Sequence, residues 1–403
     1  ISTNDALSTN AVNIGQLLNR KHFYFVPVRQ ENPITKPYAM SFDVEYVIPC
    51  IEKALFSEQI PHLAKFPSTR YQGSKQKFTD WIWECIKHIP FHSALDAFGG
   101  TGCISFRLKK EGKSVTYNDI LPFNSIIGKA IIENTSATLG NEEVDKLLSK
   151  CQNIVYPTFI EDTFRDIYFT DEETHWLDIV STNIRRIENP YKQAIAYFAL
   201  FQSCIIKRPY NLFHRKNLYV RLQDVERSFG NKKTWDTPFE EHFRRFVEEA
   251  NSAIFNNGES CSSINKDVFD INEDYDFVYI DTPYLNDSGM GVDYADFYHF
   301  LNGLVDYDNW HNHIDYNSRH LRLYRQPNVW NNQETIHKAF EQLFNKFRNT
   351  TMAISYRSNG IPSIDDIVAM LEDLGKKVTI HQSCDIKYVL STKQSKEVLI
   401  VAQ

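Results

Sequence analysis

Apolar positions along this chain follow two different rhythms. Residues 277–280 (Phe-Val-Tyr-Ile) and 351–356 are short unbroken runs rich in strand-forming residues, and residues 93–98 and 114–119 form two further strand-like stretches. Unbroken runs, unlike alternating ones, suit strands of a parallel sheet covered on both faces. Between them apolar residues recur every third or fourth position, as at Phe78, Trp81, Ile82, Cys85 and Ile86, and again over 103–110. That spacing predicts amphipathic helices. Strand, helix and strand in succession give an α/β fold with a Rossmann-like sheet.

The sheet rhythm stops between residues 136 and 262, where helical spacing dominates, and an inserted domain is expected there. Asn189-Pro190 is a cap followed by a first-turn proline, opening a helix through Ala194, Ile195, Phe198, Phe201 and Ile205. Residues 66–135 and 263–403 then form one catalytic domain around the insertion. Residues 285–330, rich in Gly, Asn and aromatics, are expected as a long mobile loop over the site. A helix is expected near 334–348, another capped by Ser363, and short closing strands at 377–380, 387–390 and 397–402, the last two as a hairpin. Residues 1–65 are an extension with helical spacing at 10–20 and 43–56, broken at Asn32-Pro33 and Lys36-Pro37. Because the first residue is Ile rather than Met, further residues are expected ahead of it.

Composition narrows the class. The 403 residues are 42% hydrophobic and 24% charged, as in ordinary globular proteins, but 14% aromatic. The net charge of −7 confines any nucleic-acid contact to a local patch. Seven cysteines without CxxC spacing are expected as free thiols in a reducing cytoplasm. No apolar run is long enough to suggest membrane insertion.

Several strand ends carry chemistry. Asp281 closes the apolar run 277–280 and is followed by Thr282, Pro283 and Tyr284, so that an acid, a stiff turn and a ring meet where open α/β sheets bind ligands. The acid can accept an N–H and the ring can stack, which suits a planar group bearing an amine. Asp96, Phe98, Gly99 and Gly102 belong to a D-x-F-x-G-x-G turn between strand and helix. Glycine permits close approach of a ligand to the main chain, and Asp96 would attract an ammonium where it would repel a pyrophosphate. Asp119 ends the next strand 23 positions on, near the roughly 20-residue spacing at which an acid meets ribose hydroxyls; it could equally cap a helix. Tyr71, Gly73 and Lys75 precede a helix and suit an anion or ligand loop, and Asp267 falls at another strand end beside the crevice. Between 207 and 233 eight Lys/Arg face two acids. Lys207, Arg208, Asn211, His214, Arg215, Lys216, Asn217 and Arg221 there supply cations, amides and forks for phosphates and base edges.

In chain order these motifs resemble the Dam-like (D12 class, α-group) N6-adenine DNA methyltransferases, over roughly residues 68–403. The resemblance implies a methyltransferase sheet with a mainly helical target-recognition insertion, S-adenosyl-L-methionine as cofactor, duplex DNA as partner and base flipping of the target adenine. It implies that Tyr71, Gly73, Lys75, Asp96, Phe98, Gly99, Gly102, Asp119 and Asp267 bind the methyl donor. Asp281 to Tyr284 match the family's Asp-Pro-Pro-Tyr, with Thr282 in place of the first proline, and 211–221 matches its DNA-contacting segment. A restriction–modification role with a cognate endonuclease follows, and no metal is expected. The competing readings are transfer to cytosine N4 or RNA adenine, a binding module without activity, and a metal-dependent nuclease using His311, His313 and Asp315.

Overall fold

The computed structural model describes residues 63–224, 232–286, 289–383 and 396–403, together with a two-residue antiparallel pairing of Arg29–Gln30 with Met40–Ser41. The expected helices at 10–20 and 43–56 and the expected strand at 387–390 lie outside the described residues. The chain divides into a unit of residues 1–59 and a unit of residues 60–403; the second carries the site.

That unit opens with helix α1 (Thr79–Ile86), then β1 (Ser93–Asp96), α2 (Cys103–Lys110), β2 (Ser114–Asn118) and α3 (Pro122–Gly128). Helices α4 (Asp171–Arg185), α5 (Pro190–Ile206) and α6 (Phe239–Ala253) follow before the sheet resumes at β3 (Ser262–Ile264) and β4 (Phe277–Ile280). Helices α7 (His299–Val305) and α8 (Gln333–Lys346), strand β5 (Thr351–Arg357), helix α9 (Ile364–Asp373) and strands β6 (Val378–Gln382) and β7 (Glu397–Ala402) complete it. The strand order is β3-β2-β1-β4-β5-β7-β6. The first five strands are parallel, and β7 runs antiparallel between β5 and β6. The chain builds outward from β1 in one direction and from β4 in the other, so the β1–β4 boundary is the switch point at which such sheets bind ligands.

The unbroken apolar runs are explained by burial on both faces. Phe277 and Tyr279 of β4 pack into the core that holds α4, α5 and α6, whereas Val278 and Ile280 pack into the opposite one against α8 and α9. β7 divides in the same way, with Leu399 and Val401 on one side and Val398 and Ile400 on the other. Helix α5 begins as its sequence predicts: Asn189 accepts hydrogen bonds from the N–H groups of Tyr191 and Lys192, with Pro190 in the first turn. It is buried nearly all round, and shares one core with α6 and the sheet.

The described residues of 285–330 are not one long loop. They hold helical turns at Tyr294–Phe297, α7 and Trp310–His313, and bury Tyr298, Phe300, Leu301, Leu304, Trp310 and Ile314 in the main core. Several of the segment's aromatics, Tyr298, Phe300 and Trp310 among them, are packing residues. Phe213 and Phe300 stack at 5.2 Å, and a Cβ on Gly303 would fall 1.9 Å from the Trp310 ring.

Candidate active site

The carboxyl ends of β1 and β4 border a cavity of about 430 Å³. Tyr71, Gly73, Lys75, Asp96, Phe98, Gly99, Asp119, Asp267, Asp281, Thr282, Pro283 and Tyr284 all line it. Residues up to 213 positions apart in the chain, Tyr71 and Tyr284, thus converge on one hollow. Gly102 is the one residue of the expected donor and catalytic set that does not contribute to the wall. It caps α2 in the left-handed region, φ 77°, and donates its N–H to the Gly99 carbonyl.

The turn after β1 is held from beneath by β2. Tyr117 donates its hydroxyl hydrogen to the Gly100 carbonyl at 2.7 Å, and its ring lies where a Cβ on Gly99 would sit, at 2.1 Å. Gly99 is therefore required by packing against Tyr117. Gly100, inside the same Gly-rich turn, is with Gly73 a cavity-lining glycine of positive φ, 51°. Asp119 accepts from the N–H groups of Gly100 (2.9 Å) and Leu121 (2.8 Å) and from the Asn124 side chain (3.1 Å). It anchors the turn and caps the following segment while still reaching the wall. Burial raises its carboxyl to about 6 against these bonds.

Asp96 is buried, and one oxygen accepts from the N–H and hydroxyl of Ser105 at 3.2 and 2.6 Å. Its other oxygen has no partner. Burial first, and the charges of Asp281 and Asp119 in addition, push this carboxyl to about 7 against the Ser105 bonds. Asp267 is exposed and accepts from the Phe269 N–H at 3.0 Å. Tyr71 stacks between Tyr298 (4.6 Å between ring centres) and Tyr294 (5.6 Å). Gly73, φ 83°, leaves space for the Tyr294 hydroxyl, which would lie 2.6 Å from an added Cβ.

On the β4 side, Lys75 Nζ lies 3.4 Å from Asp281 and 2.6 Å from Glu397, a buried acid that the motifs did not flag. Burial opposes the lysine's charge, but the two carboxylates outweigh it and hold its pKa well above the usual value. Asp281 is pushed up to about 7, by burial first, with Glu397 adding and Lys75 opposing. Thr282 is buried and its hydroxyl has no partner. The Tyr284 ring stands edge-on to Tyr356 at 5.7 Å and beneath the Arg357 guanidinium at 5.6 Å. Trp330 is a further wall residue invisible in the motifs; it stacks on Phe269 at 6.0 Å and meets Phe98 edge-on at 5.4 Å.

The family model for D12 class N6 adenine-specific DNA methyltransferases matches residues 71–370. The chain belongs to that family. This methyltransferase is similar to type II methyltransferase M2.HphI of Haemophilus parahaemolyticus, 32% identical over 341 residues that cover 83% of this chain and 95% of that protein. It is also similar to M.NlaIII of Neisseria lactamica (23% identical, 76% and 88% covered) and to M.FokI of Planomicrobium okeanokoites (26% identical). The match covers 81% of this chain but half the length of M.FokI.

The basic segment divides in two. Arg215 and Lys216 are exposed, and Asn211 and His214 are half-buried. Lys207, Arg208, Asn217 and Arg221 are buried, which corrects the expectation that all eight face a ligand. Glu173 takes Lys207 at 2.7 Å and Arg221 at 2.6 Å. Arg208 donates to the carbonyls of Tyr168, Leu212 and Arg215 and to the Asn217 side chain. These groups fix the backbone that displays Arg215 and Lys216. His313 pairs with Asp306 at 3.6 Å and Asp315 with Arg322 at 3.3 Å, so the His311–Asp315 stretch does not converge on one point. Among the described residues no helix is long and apolar enough to cross a membrane.

Proposed function

We propose that the cavity between β1 and β4 holds S-adenosyl-L-methionine beside a flipped adenine of duplex DNA, and that Asp281 accepts the amine to be methylated. The observation that carries this reading is the pairing, in one hollow, of the partnerless Asp96 oxygen with the Asp281 carboxylate. A buried carboxylate oxygen without a donor is costly, and an ammonium is the group that would satisfy it. The positive-φ Gly100 beside it leaves the main chain uncovered for a ligand. These residues fit the donor: Asp96 its amino-acid end, Asp119 and Asp267 its sugar, and Tyr71 and Lys75 the remaining wall. When bound, the donor supplies a methyl group on a sulfonium, an electrophile that needs no further activation.

The chain's own work is done at the amine. The adenine amino lone pair is delocalised into the ring, so the nitrogen is a weak nucleophile. Acceptance of one hydrogen by the Asp281 carboxylate and of the other by the Thr282 carbonyl favours a pyramidal nitrogen with its lone pair free. Threonine keeps that carbonyl where the family has proline, though it does not fix φ as proline does. Fixed acceptors aimed at developing charge act through electrostatic preorganisation, and Tyr284 stacks on a base removed from the duplex. Arg215, Lys216, Asn211 and His214 contact the DNA. The resulting role is site-specific modification of cytoplasmic DNA alongside a cognate restriction endonuclease.

The test is transfer of labelled methyl from S-adenosylmethionine to mixed-sequence duplex DNA, with nucleoside analysis of the product. The parent is expected to form N6-methyladenine, and Asp281→Asn to form less by a factor of about 100 or more. An Asp281→Asn enzyme of undiminished rate would refute the assigned role.

A further inference from the structure

Glu397 opens β7 opposite Arg357 of β5 and is fully buried. It does not line the cavity. One of its oxygens accepts from Lys75 Nζ at 2.6 Å and from the Ser355 hydroxyl at 2.6 Å. The same Lys75 ammonium stands 3.4 Å from Asp281, beyond the roughly 2.7–2.9 Å of a charge-assisted hydrogen bond. Lysine thus has two carboxylate partners held at unequal distances: the nearer is sealed inside the sheet, and the farther faces the ligand.

We propose that Glu397 is a positioning residue, which draws Lys75 back from Asp281 so that the Asp281 oxygens remain available to the hydrogens of the target amine. The inference rests on the reading of Asp281 as that acceptor. Lys75 keeps Asp281 near a positive charge without occupying it. With Glu397 neutral, Asp281 becomes the only carboxylate among the described residues that is paired with Lys75. The ammonium then closes on Asp281, and an oxygen needed for the amine is taken up. Ser355 donates to Glu397 and so fixes which oxygen Lys75 meets.

The pH dependence of transfer separates this role from simple support of the sheet. Besides Lys75 and Glu397, the ionisable groups acting on or felt by Asp281 among the described residues are Asp96 from β1, Cys103 from α2, Tyr279 from β4, Tyr284 after it, and Tyr294, with Arg357 over the Tyr284 ring. None of these changes in a Glu397 variant. Glu397→Gln removes a repulsion from Asp281 and brings the lysine closer, and both changes favour the carboxylate. The acid limb of the rate profile must therefore move to lower pH even as the plateau rate falls. Loss of packing alone would scale the curve without moving its limb.

The experiment measures single-turnover methyl transfer to duplex DNA between pH 5.5 and 9 for the full chain, Glu397→Gln, Lys75→Met, Lys75→Met/Glu397→Met and Asp281→Asn, with thermal melts of each. Glu397→Gln is expected to lose about 10- to 100-fold at the plateau, the effect of a misplaced group. Its acid limb should shift down by about one pH unit, the size expected of a closer opposite charge, with donor affinity within about threefold of the parent. The double variant, in which Asp281 has lost its cation, should shift the limb upward. If Glu397→Gln does not fold, comparison of the double variant with Lys75→Met decides the matter: with the lysine already gone, loss of Glu397 should cost no further plateau rate, and a further loss overturns the proposal. An unmoved limb in the variant that folds, or a Glu397→Gln rate equal to the parent, overturns the proposal. Full activity in Asp281→Asn would instead overturn the reading beneath it.

Discussion

Replacing Arg221 by methionine tests whether the buried half of the basic segment is scaffold. Arg221 donates to both oxygens of Glu173, at 2.6 and 2.8 Å, and to the carbonyls of Tyr168 and Trp235 at 3.3 Å. Removing one partner of a buried ion pair costs roughly 3–5 kcal/mol, because the other charge is left behind. Here Lys207 still holds Glu173 at 2.7 Å, and Arg208 still holds the Tyr168 carbonyl at 3.0 Å, so the lower end applies, about 3 kcal/mol. Unfolding entropy is roughly 2.1 cal/mol/K per residue. For residues 60–403 acting as one unit that gives roughly 0.7 kcal/mol/K, and hence a fall in Tm of about 4 °C. Arg215→Ala, an exposed change, should leave Tm within about 1 °C. DNA titrations at several salt concentrations give the reverse ranking. Arg215→Ala should flatten the log–log slope by about 0.9, one phosphate's worth, whereas Arg221→Met, assayed well below its Tm, should keep the parent slope. A flattened slope in Arg221→Met with Tm unchanged would refute the assignment.

Donor affinity should fall as pH drops through about 7, by as much as tenfold per unit, because Asp96 must be ionised to attract an ammonium and its buried carboxyl titrates there. Calorimetric titration across pH 6–8 checks this; Asp96→Asn should bind more weakly at pH 8 and lose the pH dependence, and a parent affinity that is flat with pH would refute it. Gly99→Ala should destabilise the protein by about 1–3 kcal/mol, since its Cβ would enter the Tyr117 ring. A chemical denaturation midpoint equal to the parent's would show that the turn can yield.

The sequence by itself determined most of the sheet strands, helices such as α5 and α8, and the family, but did not place β3, α4 or α6. Unbroken runs such as 277–280 can be satisfied only by burial on both faces, and acids at strand ends have few places to go but the crevice. Local rules also foretold the Asn189-Pro190 start of α5, because a cap is written within a few residues. Tertiary structure alone decided which charges are free. Arg208 and Arg215 look alike in sequence, yet one is clasped by four acceptors and the other faces water. It also decided that Tyr298 and Trp310 build the core, that Trp330 walls the cavity, and that Glu397 stands behind Lys75, 322 positions away. Pairing across such distances depends on strand order, here the insertion of antiparallel β7 between β5 and β6, and no local spacing encodes that order.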